Sequence, residues 1–93
     1  MGKRRSLFEQ LLEQTALGSE AIPGQPIVEI AGDGRVLVEN HLGVAAYGKE
    51  RILVNVKFGS VCICGCNLEM MHMTREQLVI HGRIDSVGLQ RRK

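Results

Sequence analysis

The chain has 93 residues, 44% hydrophobic and 24% charged, which is enough for one small domain and too few for a second core. Aromatic residues make up only 3% of it and tryptophan is absent, so a base-stacking nucleic-acid module is not expected. The net charge of +2 is unevenly spread: residues 20–90 are mildly acidic, while both ends are basic, with Lys3, Arg4 and Arg5 at one and Arg91, Arg92 and Lys93 at the other. Basic ends either keep a protein soluble or contact anionic lipid or nucleic acid, and both interpretations stay open.

The location of the protein is predicted from its apolar runs and its cysteines. No apolar run reaches the ~18–20 residues of a membrane span, and none follows the first charges as in a signal peptide. Three cysteines cannot all pair within one chain, which is typical of a reducing compartment. We therefore expect an intracellular protein.

Because so small a domain is marginally stable, we also expect self-association or a bound partner.

Residues 1–17 predict a short basic amphipathic helix. Its apolar stripe consists of Leu7, Phe8, Leu11 and Leu12, and the basic residues 3–5 precede that stripe. A helix of ~15 residues is marginal alone in water and has to dock on something. It docks on the sheet, on a second subunit or on a membrane surface, and these alternatives stay open. The apolar stripe is the predicted partner-binding face, and Lys3, Arg4 and Arg5 are the residues predicted to contact a lipid surface. Residues 18–26, rich in glycine and proline, predict a linker.

Residues 27–90 predict an all-β domain, because the apolar period changes there to two. Residues 91–93 then form a basic tail. The Asp33-Gly34 pair predicts a hairpin turn. Strands are expected near 27–31, 35–40, 43–47, 50–58, 60–65, 67–73 and 77–85, with a last one at 87–90. Their inward rows are Val28/Ile30, Val36/Val38, Ile52/Val54/Val56/Phe58, Val61/Ile63 and Leu78/Ile80.

Three glycines, Gly32, Gly65 and Gly82, each follow two inward apolar positions. A glycine at such a place allows a bulge or a sharp bend. Bent strands build a small antiparallel sheet resembling a sandwich or a barrel, or else the coils of a short β-solenoid. The unequal spacing of the three glycines favours the bent antiparallel sheet.

The run Cys62, Cys64 and Cys66 is the one constellation suited to a metal, with His72 or His41 as a fourth ligand. Successive side chains on one face of a strand stand ~6.6–7 Å apart, which is too far for a shared tetrahedral ion or a disulfide unless Gly65 bends the strand. A metal- or redox-responsive module is thus the alternative to semi-buried thiols. No histidine lies in a recognised nucleophile motif, so neither catalytic residues nor a cofactor are predicted.

The chain resembles the YabP/YqfC family of sporulation proteins over nearly its whole length. The resemblance lies in Val36–Gly43, preceded by Pro26-Ile-Val-Glu-Ile, and in the glycine-containing segments 59–65 and 80–84. The stretch Glu39-Asn40-His41-Leu42-Gly43 points to the YqfC branch. The three cysteines are not part of that family's pattern.

The resemblance implies a small non-enzymatic protein made during endospore formation, working with a YqfD-like membrane protein. It would lie in the cytoplasm, peripheral to a membrane of the sporulating cell, and form homo-oligomers. Glu39, Asn40 and His41 are then candidates for partner binding. The same stretch also suits a turn, because Asn tolerates a left-handed backbone and Gly requires no clearance for a Cβ.

Overall fold

The computed structural model describes residues 24–92, which form one antiparallel sheet of six strands. The predicted helix 1–17, most of the linker and Lys93 lie outside the described residues, and no helix is present within them. The strands are β1 (Ile27–Ala31), β2 (Arg35–Glu39), β3 (Val44–Tyr47), β4 (Arg51–Val56), β5 (Gly59–Met73) and β6 (Gln77–Arg91). Their order in the sheet is β1-β2-β6-β5-β4-β3. The all-β antiparallel prediction is confirmed, and the β-solenoid alternative is not.

The first two strands form the hairpin that Asp33-Gly34 predicts. Ala31 pairs with Arg35 across a loop of residues 32–34, and the Gly34 N–H donates to the Ala31 carbonyl at 3.4 Å. Gly32 has a φ of 58°, a backbone conformation that glycine adopts more readily than residues with a side chain. The loop then docks on β6, where Ile84 N–H donates to the Asp33 carbonyl at 2.7 Å.

Two long strands replace four of the predicted ones. β5 and β6 have 15 residues each, and they run through the expected breaks at residues 66 and 86 without ending. The pairing of β5 with β6 shifts register between Cys64 and Gly65, so the ladder bends there and continues. A Cβ on Gly65 would collide with the Arg83 carbonyl oxygen, and one on Gly82 would lie 2.6 Å from the Asn67 carbonyl oxygen. These glycines are bends within strands, as the recurring pattern indicates, and not strand ends.

The bend divides the sheet into two halves that share one core. One half contains β1, β2 and the adjoining ends of β5 and β6, and the other contains β3, β4 and the opposite ends of β5 and β6. The fully buried core side chains come from both: Val36, Val38, Ile52, Val54, Val56, Val61, Ile63, Leu68, Leu78 and Ile80. Most of the predicted inward rows are therefore confirmed.

Three positions differ from the predicted core. Ile30 is 52% exposed, because β1 lies at an edge of the sheet and pairs on one side only with β2. Phe58 is only partly buried, since β4 ends at Val56 and Phe58 belongs to the turn. Leu68 is fully buried although the strict alternation does not single it out. The preceding Asn67 has a φ of 54°, and this irregular residue changes which face the next side chain occupies.

Candidate functional site

Residues 39–43 carry the chain from β2 to β3, which lies at the opposite edge of the sheet. Asn40 has a φ of 62° and Gly43 a φ of 109°. Both values lie in the region that a turn requires and that Asn and Gly tolerate best. The stretch identified from the sequence is therefore a turn connecting the two halves of the sheet. We call residues 39–43 the crossover.

His41 is enclosed at the centre of the crossover, with 6% of its surface exposed. The Gly43 N–H donates to Nδ1 at 3.0 Å, so this nitrogen is an acceptor and the other, Nε2, carries the proton. Nε2 then donates to the Thr74 carbonyl at 2.8 Å. The ring thus ties the crossover to the segment between β5 and β6. A partner would not reach this imidazole directly, so any part of His41 in binding is to hold the crossover in place.

The other two predicted binding residues are also held by hydrogen bonds. The Asn40 side-chain amide donates to the Gln25 carbonyl at 2.8 Å, and the Asn40 N–H donates to the Glu76 carbonyl at 2.6 Å. The Glu39 carboxylate accepts from the side-chain amide of Gln77 at 3.3 Å. The structure thus brings Glu39, Asn40 and His41 together as a rigid frame.

Leu42 is the crossover residue that points to solvent, and the sequence reasoning missed it. Its side chain is 64% exposed. Its backbone is fixed, since the Leu42 N–H donates to the Asn55 carbonyl at 2.7 Å and the Asn55 N–H donates to the Gly43 carbonyl at 2.8 Å. A leucine inside a predicted turn, between His41 and Gly43, was the available signal. The crossover therefore presents one apolar side chain on a fixed backbone.

The cysteines form a second cluster, on β5. The Cys62 and Cys64 sulfurs are 3.7 Å apart, much closer than the spacing of side chains along a strand suggests. Nε of Arg51, on the neighbouring strand β4, donates to the Cys62 sulfur at 3.3 Å. The Cys62 sulfur, first through this hydrogen bond and then through electrostatic attraction, raises the pKa of the Arg51 guanidinium above its usual value. The cluster is thus a pair of thiols beside a cation.

Cys66 and His72 do not join this pair in a set of metal ligands. Cys66 follows the register shift at Gly65 and is half-buried, and His72 is exposed near the end of β5. Within residues 24–92, no group of three or more His, Cys, Asp or Glu side chains is arranged to hold a metal ion. Arg51 is the residue that the sequence could not have assigned to this cluster, because its approach depends on the register of β4 against β5.

The predicted N-terminal sites lie outside the described residues. These are the apolar stripe Leu7, Phe8, Leu11 and Leu12 and the basic group Lys3, Arg4 and Arg5. At the other end, the basic tail is partly tied to the sheet. β6 extends to Arg91, and the guanidinium of Arg92 donates to the carbonyls of Val56 and Lys57.

A family model, described as the YabP family, matches residues 24–93. The chain belongs to the YabP family. The match covers all six strands, the crossover and the cysteine cluster, and YabP-family membership associates the domain with sporulation. None of the curated proteins or solved structures compared with the chain matches it. The described part of this YabP-family chain contains no helix long and apolar enough to cross a membrane.

Proposed function

We propose that this YabP-family chain is a non-catalytic, YqfC-like protein of bacterial endospore formation that assembles with itself and with a YqfD-like membrane protein. The observation that carries the proposal is the family match over the entire β domain. The Glu39–Gly43 sequence supports the YqfC branch, and the membrane partner follows from the resemblance to that branch. The protein acts in the cytoplasm at a membrane surface.

The crossover is the partner-binding surface in this proposal. A rigid backbone that presents Leu42 loses little conformational freedom when a partner covers that side chain. Glu39 and Asn40 flank it with polar groups, as the rim of an interface does. His41 supports the surface from within.

The N-terminal segment supplies the membrane contact. Each basic residue near an anionic surface contributes about 1 kcal/mol, so Lys3, Arg4 and Arg5 hold the chain there only weakly. An apolar stripe adds to this attachment but does not make it permanent. A second contact is therefore needed, which is the crossover bound to a membrane protein. Neither contact alone keeps the chain at the membrane, so loss of the N-terminal segment releases it.

Self-association is supported by the edges of the sheet. β1 and β3 are its outermost strands, and each is paired on one side within the described residues. An edge strand offers its backbone groups to a further strand from a second copy. A domain this small gains stability from such a contact.

The test is co-purification from detergent-solubilised membranes of sporulating cells, with the tagged full chain as bait. Leu42→Asp is compared with Leu89→Asp, because Leu89 is exposed to a similar extent, at 61%, but lies on β6. We expect the unchanged chain and Leu89→Asp to retain the YqfD-like protein. Leu42→Asp should lose it by about tenfold or more, the effect of failing to bury one leucine.

Both variants change exposed side chains, so both should keep the thermal melt of the unchanged chain. Absence of the YqfD-like protein from all three preparations would contradict the proposed partner. Equal recovery with all three would contradict the role of the crossover.

A further inference from the structure

The two thiols of the cysteine cluster lie on the outer face of β5, opposite the core. Cys62 pairs with Leu53 of β4 and Gly88 of β6, and Cys64 pairs with Arg51 and Ser86 in the same way. Val61 and Ile63, which alternate with the cysteines, are fully buried. The core accounts for the apolar residues of this strand but not for the paired sulfurs.

The neighbours of the sulfur pair on β6 are small. A Cβ on Gly88 would meet nothing within 4 Å, and Gly88 does not have a positive φ. Neither the backbone nor crowding therefore requires a glycine there. Gly88 lies beside Cys62 and Ser86 beside Cys64, so both cross-strand neighbours on β6 are small. Cys62 is 9% exposed and Cys64 is half-buried, so Cys64 is the first to be reached from solvent.

Arg51 makes the pair chemically different from two ordinary buried thiols. Its guanidinium donates to the Cys62 sulfur at 3.3 Å. Arg51 is also the cross-strand neighbour of Cys64, so one cation lies beside both sulfurs and stabilises negative charge that develops on them during exchange. The thiolate is the nucleophilic form of cysteine. Two thiols in contact beside a cation are the parts that thiol–disulfide exchange requires.

We propose that Cys62 and Cys64 are a site of reversible oxidation by low-molecular-weight disulfides, with Cys64 as the attacking thiol and Cys62 as the resolving thiol. The Cys64 thiolate attacks one sulfur of R–S–S–R, that S–S bond breaks, and the departing R–S⁻ takes up the proton that Cys64 lost. The Cys62 thiolate then attacks the Cys64 sulfur and closes the Cys62–Cys64 bond. The second R–S⁻ departs with the proton that Cys62 lost. Two protein thiols are oxidised, and R–S–S–R is reduced to two R–SH.

The Cys62–Cys64 bond can close only if the strand deforms, so the resulting disulfide is strained. The two sulfurs must approach from 3.7 Å to ~2.05 Å. Pairing on both sides holds Cys62, whereas the ladder to β6 shifts register directly after Cys64. Movement is therefore easiest on the Gly65 side. A disulfide that deforms its strand is easily reduced, so the modification is reversible.

The test uses the full chain carrying Cys66→Ser, with oxidised glutathione as the probe and intact mass as the measurement. We expect the mass to fall by two hydrogens with no lasting glutathione adduct, and to return after treatment with excess dithiothreitol. The matched variants Cys62→Ser and Cys64→Ser each lack one member of the pair. Cys62→Ser should keep a glutathione adduct on Cys64, and Cys64→Ser should react more slowly.

A second measurement uses the unsubstituted chain with all three cysteines, so that no substitution can disturb the fold. After oxidation, alkylation in urea should label Cys66 and leave Cys62 and Cys64 unlabelled, whereas the reduced chain in urea should be labelled at all three. A lasting glutathione adduct on Cys66→Ser would overturn the proposal. So would an unmodified Cys66→Ser chain under conditions that oxidise the urea-unfolded chain.

The part of Arg51 is tested by the rate of oxidation. Arg51→Gln should slow it several-fold with the same product, and Arg51→Lys should restore part of the rate. Lys49→Gln removes the same charge from an exposed side chain two positions away and should leave the rate unchanged. Equal rates for Arg51→Gln and Lys49→Gln would overturn the assignment to Arg51.

Discussion

At the scale of single residues, the structure separates side chains that look alike in the sequence. Ile30 and Ile80 lie in the same cross-strand row, each opposite Val36, yet Ile80 is fully buried and Ile30 is half-exposed. The alternation predicts the row for both. The difference depends on which strand lies at the edge of the sheet, and that is a property of the pairing order and not of local sequence.

The three histidines differ in the same way, and His41→Ala should be far more costly than a change at the other two. Removing its ring leaves the Gly43 N–H and the Thr74 carbonyl without these partners in a partly buried place. We expect a loss of about 2–4 kcal/mol in the free energy of unfolding, measured by urea denaturation. The control is His72→Ala at an exposed position, which should stay within about 0.5 kcal/mol. Similar losses for both variants would show that the ring does not hold the crossover.

At the scale of elements, the sequence predicts strands well and their ends poorly. The alternation of Ile52, Val54 and Val56 with polar residues places β4 correctly, and the Asp33-Gly34 pair places the hairpin. Gly65 and Gly82 are correctly predicted to bend the chain. The local signal of a glycine is the same for a strand end and for a bulge inside a strand, so β5 is predicted as two strands divided after Gly65. The predicted division of β6 at residue 86 is absent as well. The sequence predicts Cys62 and Cys64 as a candidate site. It does not predict Arg51 beside them, because that contact depends on how β4 pairs with β5.

The bend of β5 and β6 should depend on Gly65 and not on glycine in general. In Gly65→Ala the Cβ collides with the Arg83 carbonyl, so the two long strands have to separate locally. We expect a loss of about 2–4 kcal/mol, measured by thermal and urea unfolding. Gly88→Ala is the matched control in β6, where space is free, and it should raise stability by about 0.5–1 kcal/mol. Equal effects of the two substitutions would contradict the close approach at the bend.

At the scale of the whole molecule, the six described strands share one hydrophobic core. Among residues 24–92, the ten fully buried core residues lie between Val36 and Ile80, and the partly buried ones extend this range to Val28 and Val87. The family match begins at residue 24 and covers the same region. We therefore expect deletion of residues 1–17 to leave a cooperative thermal melt. An insoluble or unfolded product would show that the N-terminal segment completes the core.

The central claim is that a folded β domain is brought to a membrane by the segment that precedes it. Its most direct test is the share of the protein that sediments with membranes from sporulating cells. The full chain is compared with the 1–17 deletion and with a full chain carrying Arg35→Ala, Lys57→Ala and Arg75→Ala, which removes three exposed positive charges from the β domain. We predict that the full chain and the charge-reduced chain sediment with the membranes and that the deletion variant stays in the supernatant. Sedimentation of a folded deletion variant to the same extent as the full chain would contradict the claim and place the attachment on the β domain.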